Sequence, residues 1–144
     1  MQPAAVRVKL LRDGARVPTR ATDLATGFDL SACIDAPLRI GNSPVLVPTG
    51  IALEIPPGID AQVRPRSGLA RQGVLCSFGT IDADYRGELL VTLYTIAPGI
   101  EHTIEPGDRI AQLVFGLLAP AEFVLAAELG ATARGTGGHG STGR

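Results

Sequence analysis

An all-β domain is what the sequence predicts, on three observations. Eighteen glycines and eleven prolines among 144 residues interrupt the chain too often for long helices. Alternating or apolar runs have strand length, and turn signals separate them. Val6–Leu10 alternates, as does Gly50–Ile55, which Pro56-Pro57-Gly58 ends. Ser67–Gln72 reads as the one short helix, with Ser67 as its N-cap and Gly73 just past its end. Glu88–Tyr94 and Ile110–Phe115 are apolar runs, separated by turns at Ala97-Pro98-Gly99 and Glu105-Pro106-Gly107-Asp108. Many short strands joined by turns suggest a β-sandwich or jelly roll.

The last segment, Arg134 to Arg144, is different material. It is glycine-rich and has no aliphatic side chain, so it cannot bury enough apolar surface to offset its ordering entropy. Two readings of it stay open. One is a frayed, flexible terminus. The other is an anion-binding wrap of exposed backbone N–H groups, the Arg134 guanidinium, Ser141 and Thr142. There is no internal repeat, and the expected division is a β domain over 1–133 and a glycine-rich C-terminal arm over 134–144.

At 144 residues the chain fits one domain. Hydrophobic residues make up 45% and charged ones 19%, against a usual ~25% charged. That balance points to more buried surface than one monomer hides, hence to an oligomer. The net charge is −1 and Lys9 is the sole lysine, so the electrostatic footprint of a nucleic-acid binder is missing. A polyphosphate would have to be met by local arginines. The opening residues Met1–Lys9 carry no apolar signal segment, so Cys33 and Cys76 read as free, reduced thiols of a cytoplasmic protein. No apolar run reaches the ~18–20 residues of a membrane span. His102 and His139 lack ligand-spaced neighbours, which argues against a zinc site.

The densest chemistry lies in Ile81-Asp82-Ala83-Asp84-Tyr85-Arg86-Gly87-Glu88, with two carboxylates, a phenol and a guanidinium between apolar runs. So much charge belongs at a surface turn or an active-site edge. Asp82, between Ile81 and Ala83, is the carboxylate best placed to act as a general base. An Asp-rich turn with solvated charges is the plain alternative.

Four further segments accompany it: Ala25-Thr26-Gly27-Phe28-Asp29-Leu30, Pro65-Arg66-Ser67-Gly68-Leu69-Ala70, Gly107-Asp108-Arg109-Ile110-Ala111-Gln112, and Arg134-Gly135-Thr136-Gly137-Gly138-His139-Gly140-Ser141-Thr142-Gly143. With Gly79–Gly87 as the third, they resemble in order and spacing the five motifs of the homotrimeric dUTP diphosphatases (dUTPases), from about Val6 to Gly143. The resemblance implies a distorted jelly roll with one short helix, assembled as a homotrimer. It also implies Mg²⁺-dependent hydrolysis of dUTP to dUMP and pyrophosphate, which limits uracil in DNA and supplies dUMP for thymidylate synthesis.

It implies roles as well. Asp82 orients and deprotonates the water that attacks the α-phosphorus, while Asp29 grips Mg²⁺ indirectly, through the metal's waters. Arg66, Ser67 and Gly68 hold the phosphate chain, and Gln112 adds a polar contact. Gly79 and Ile81 belong to the segment that meets the nucleoside, and the Tyr85 ring stacks on the sugar, leaving no room for a 2′-hydroxyl. Arg134 meets the γ-phosphate, Gly140 and Ser141 close with it, and His139 stands where relatives carry a phenylalanine that stacks on uracil. Each site is then shared: the first, second and fourth motifs from one subunit, the third from a neighbour, the arm from the remaining one. Read without the resemblance, Asp29 is a turn-stabilising residue, Gln112 an outward strand residue, Tyr85 a core aromatic, and Arg109 a structural partner for a carboxylate.

Two rivals remain. A dCTP deaminase shares the fold but uses a glutamate where this chain has Ile81-Asp82, and ammonia release from dCTP would reveal it. A non-catalytic trimeric nucleotide sensor is opposed by the intact Asp82, Asp29, Ser67 and Arg134. The chain also departs from the family: relatives carry Asn-x-x-Gly on a hairpin before the third motif, and here Cys76-Ser77-Phe78-Gly79 stands there, in a segment about two residues short. A thiol cannot replace an amide that both donates and accepts, so base recognition is expected to fall on backbone near Gly79, helped by Ser77.

Overall fold

The computed structural model describes residues 3–141 and residue 143, so Thr142 of the expected anion wrap lies outside the described residues. Ten strands and one helical turn follow in order: β1 Arg7–Leu10, β2 Phe28–Ser31, β3 Leu38–Ile40, β4 Val45–Glu54, β5 Ile59–Arg64, α1 Ser67–Ala70, β6 Val74–Cys76, β7 Gly79–Ile81, β8 Glu88–Thr95, β9 His102–Ile104 and β10 Arg109–Leu117. They form two four-stranded sheets, β1-β4-β8-β6 and β2-β10-β5-β7, and a two-stranded ribbon of β3 and β9. All pairings are antiparallel. The all-β expectation is met, with its single short helix.

The core follows from period-two alternation. On β8, Leu89, Val91, Leu93 and Thr95 are buried while the residues between them are more exposed. Leu89, Val91 and Leu93 pack with Val47, Ile51 and Leu53 of β4, Leu30 of β2 and Leu113 of β10 in one apolar cluster. The two buried threonines have partners: Thr49 Oγ1 donates to the Leu89 carbonyl at 2.6 Å and Thr95 Oγ1 to the Ile100 carbonyl at 2.9 Å. The three proline-glycine turns expected from the sequence place Gly58, Gly99 and Gly107 at φ +87°, +85° and +83°, where a side chain would be strained.

Three local expectations are corrected. The helix is one turn, and its N-cap is Arg66, with extended φ/ψ and no side-chain cap bond; Ser67 is the first helical residue, so its hydroxyl is not spent on capping. Strand β4 starts at Val45 rather than Gly50: Pro48 masks its first half in the sequence, but the proline sits beside a register irregularity between Pro48 and Ala52, where a missing N–H is tolerated. The segment Cys76–Gly79 is not a hairpin, because β6 and β7 belong to different sheets and Ser77-Phe78 crosses between them. Cys76 points into the core, 3% exposed, and burial pushes its thiol up to about 11. It is therefore a small apolar residue here, neutral and inert.

In a single chain the residues from Leu118 to Thr136, beyond β10, are exposed and form no strand or helix, so a segment outside the packed strands leads into the glycine-rich stretch.

The N-terminal segment is tied down by Glu88. Its Oε1 accepts from Arg12 Nη2 and from the Gly50 N–H, both at 2.7 Å. The hydrogen bond from Arg12 is the main reason the Glu88 carboxyl lies below its usual 4.5. A carboxyl lowered on folding stabilises the fold above its unfolded value, and that stabilisation is lost as pH falls through the folded value. Glu88→Gln is expected to melt below wild type at pH 7. The gap should narrow as pH falls through the lowered folded value, below which the wild-type carboxyl is protonated too. Thermal melts over a descending pH series check this, and a constant gap would assign the stabilisation to something other than the charge.

Candidate active site

Strand β2 carries Asp29 at one edge of the sheet β2-β10-β5-β7, where Asp29 pairs in register with Gln112 of β10 and Gln112 with Arg64 of β5. Two guanidinium groups converge on the Asp29 carboxylate. Arg66 Nε donates to Oδ1 at 3.0 Å and Arg109 Nη1 to Oδ2 at 3.2 Å, while Arg66 Nη1 also donates to the Arg109 carbonyl at 3.2 Å. Arg109 thus pairs with a carboxylate, as its structural reading had it. Two cations against one anion leave this corner positive, and Arg66 keeps N–H donors beyond the two it uses.

Gln112 is half-buried rather than simply outward. Its Nε2 donates to the Pro65 carbonyl at 2.9 Å, which joins the fourth motif to the second. The glycine at 27 is required for this: a Cβ there would collide with Gln112 Oε1 and lie 2.9 Å from its Cδ. Asp29, Arg66, Ser67, Gly68 and Gln112, with Ala25, Thr26 and Gly27, line a cleft of about 230 Å³. That is below the ~300–1,000 Å³ typical of sites for drug-sized ligands, so the cleft has the size of part of a nucleotide site. A larger groove of about 720 Å³ runs beside β1 and β10, but Val6, Val8, Phe28, Leu53, Leu113 and Phe115 make it apolar. It is the wrong chemistry for a polyphosphate.

The donor set also bears on a metal. Each Asp29 oxygen already accepts one hydrogen bond and retains a second lone-pair direction. Among the described residues no group of three or more His, Cys, Asp or Glu could enclose an ion. The residues fit a hydrated Mg²⁺ held through water and by a substrate's phosphates. They do not form an all-protein cage.

The third motif lies elsewhere. Gly79–Ile81 is β7, at the opposite edge of the same sheet, three strand spacings or roughly 14 Å from β2. The following turn is closed by the Tyr85 N–H donating to the Asp82 carbonyl at 3.0 Å. The Asp82 side chain is exposed, and among the described residues no ion pair engages it. Tyr85 folds back: its hydroxyl donates to the Glu88 carbonyl at 2.9 Å, and the residue as a whole stays 44% exposed.

The arm bonds to itself. Arg134 Nε donates to the Gly137 carbonyl at 2.8 Å, the Gly137 N–H returns to the Arg134 carbonyl at 3.1 Å, and the Ser141 N–H donates to the Gly138 carbonyl at 3.0 Å. His139 adopts φ +50° and Gly140 φ +85°, a left-handed pair that turns the chain.

One chain therefore gathers Asp29, Arg66, Ser67, Gly68 and Gln112, and does not bring Asp82, Tyr85, Arg134, His139, Gly140 or Ser141 to them. Sequence reasoning had not assigned Gly87 or Glu88, whose contacts with Tyr85 no spacing rule reveals.

Residues 13–143 match the dUTPase family. The chain is 48% identical to the deoxyuridine 5′-triphosphate nucleotidohydrolase of Anaeromyxobacter sp. (strain Fw109-5), over 96% of this chain and 99% of that protein. It is 50% identical to the protein of the same name from Hydrogenobaculum sp. (strain Y04AAS1), over 94% and 96%. Among solved structures, a variant dUTPase of Staphylococcus bacteriophage 80alpha with dUpNHpp superposes with a TM-score of 0.86 at 25% identity, covering 97% of this chain and 99% of that one. A variant dUTPase of S. aureus phage phi11, described as coordinating a structural Mg(II) ion, shares the fold at a TM-score of 0.79 and 22% identity, covering 88% and 99%.

Proposed function

The chain belongs to the dUTPase family and hydrolyses dUTP to dUMP, and from that premise we propose how its residues divide the reaction. Asp82 accepts a proton from the water whose oxygen bonds to the α-phosphorus. The bond from that phosphorus to the bridging oxygen breaks, and pyrophosphate leaves with the electron pair. Arg66, Ser67 and Gly68 hold the phosphates with Gln112 beside them, and Asp29, braced by Arg66 and Arg109, orients the waters of Mg²⁺. When bound, the ion offsets the triphosphate's charge. Gly79 and Ile81 meet the nucleoside along β7, an edge strand with one side unpaired. Tyr85 packs on the deoxyribose. The arm over 134–144 brings Arg134, Gly140 and Ser141 over the γ-phosphate and His139 over the base, closing on a site of another subunit.

The observation that carries this reading is the split within one chain: the phosphate-side cleft lies on one edge of the sheet, Asp82 beyond the other, and the hydrogen bonds of the described arm residues reach neither. A homotrimer with shared sites is the arrangement that completes it. Free thiols at Cys33 and Cys76 support a cytoplasmic enzyme. Among the described residues no helix is long and apolar enough to cross a membrane.

Mixing tests the sharing. Asp82→Asn and a chain ending at Ala133 are each expected to be nearly inactive. Refolded together in equal amounts, they should recover roughly a quarter of wild-type activity, because a site drawing its base and its arm from different subunits finds both intact in about one case in four. No recovery would mean that base and arm come from the same chain.

A further inference from the structure

Gly87 lies beside Tyr85 in a way that the five-motif pattern does not explain. A Cβ built on Gly87 would meet the hydroxyl and two ring atoms of Tyr85 first: it would collide with Oη and fall 2.6 Å from Cζ and 2.9 Å from Cε2. Its φ is not in the left-handed region, so the backbone itself does not call for glycine. What calls for it is the ring. On the same side the Tyr85 hydroxyl donates to the Glu88 carbonyl at 2.9 Å. That carbonyl is itself fixed, since Glu88 pairs with Ala52 of β4 and its side chain is held by Arg12 and the Gly50 N–H. The ring is thus seated at its hydroxyl end against backbone, in a residue that is 44% exposed overall.

We propose that Gly87 and the Glu88 carbonyl are positioning residues for sugar selection: together they hold the Tyr85 ring in the single pose that excludes a 2′-hydroxyl. The proposal rests on the reading that Tyr85 packs on the deoxyribose. It adds that the choice between deoxyribose and ribose is set by a residue with no side chain and by a main-chain acceptor, neither of which touches the sugar.

The experiment is a double-mutant cycle on the dUTP:UTP ratio of kcat/KM, with Gly87→Ala, Tyr85→Ala and both together. Gly87→Ala is expected to lower the ratio about tenfold or more, the scale on which a methylene-sized misfit discriminates. In the Tyr85→Ala background the same change should alter it less than about twofold, because the clash is gone. An unchanged ratio in Gly87→Ala, or an equal fall in both backgrounds, would overturn the proposal. If Tyr85→Ala leaves the ratio at the wild-type value, the sugar reading itself fails. The pose is then still readable: the chain has two tyrosines and no tryptophan, so in a Tyr94→Phe background the emission of Tyr85 alone reports whether Gly87→Ala moves the ring. Tyr85→Phe keeps the ring and removes only the bond to Glu88. It should lower the ratio by a smaller factor, and a wild-type ratio would remove the carbonyl from the mechanism.

Discussion

Asp82→Asn should bind the substrate as wild type does and lose turnover by roughly 10²–10⁴-fold, the usual contribution of a general base. The side chain is exposed in a turn whose closing bond is made by main-chain atoms, the Tyr85 N–H and the Asp82 carbonyl. Exchanging carboxylate for amide therefore removes no packing and no turn contact. The amide keeps the size and can still accept a hydrogen bond from the water, but it cannot take the proton. Losing an interaction that exists only in the transition state lowers kcat and kcat/KM together. Calorimetric titration with a non-hydrolysable dUTP analogue, beside steady-state kinetics, separates the two effects. A variant with near wild-type kcat would move the base elsewhere, and one that no longer binds would make Asp82 a substrate contact.

The family motifs were legible because polar and charged side chains cluster with glycines in a fixed order, and in the first of them Gly27 makes room for Gln112. The strands that were legible are β1, by its alternation, and β8 and β10, as apolar runs of strand length. Strands β3, β6, β7 and β9 are three residues each, too short for any period to register. In β4 the local signal was masked by a proline that a register irregularity accommodates. Cys76 shows a different limit. Its place in the motif order suggested a position near the base, but alternation along β6 turns it into the core. Sheet order is the deepest limit, since β2-β10-β5-β7 joins strands far apart in the chain. That Asp29 and Asp82 lie on opposite edges follows from this order and from nothing in their spacing.

A chain ending at Ala133 should lose kcat by roughly 10³-fold or more, the range in which an arginine that meets the transferring phosphates contributes, while its melting temperature and assembly stay near wild type. The hydrogen bonds that Arg134, Gly137 and Ser141 make run to residues of the arm itself, and Gly135 bonds to Thr132 just before it, so among the described residues removing the arm breaks no hydrogen bond with the packed strands. The segment that stays behind matters for assembly. It keeps Phe123, Leu125 and Leu129, large apolar side chains left almost fully exposed by a single chain. Their cover by other copies in the proposed trimer is expected to stabilise the assembly by roughly 1.5–3 kcal/mol for each side chain fully covered. On that proposal catalysis and assembly fall to adjacent stretches of one segment, separated near residue 133. Sedimentation and kinetics on the truncated protein distinguish the two. Trimers with little turnover are the expected result; monomers would make the glycine-rich arm part of the interface, and full turnover would leave Arg134 without a role in the site.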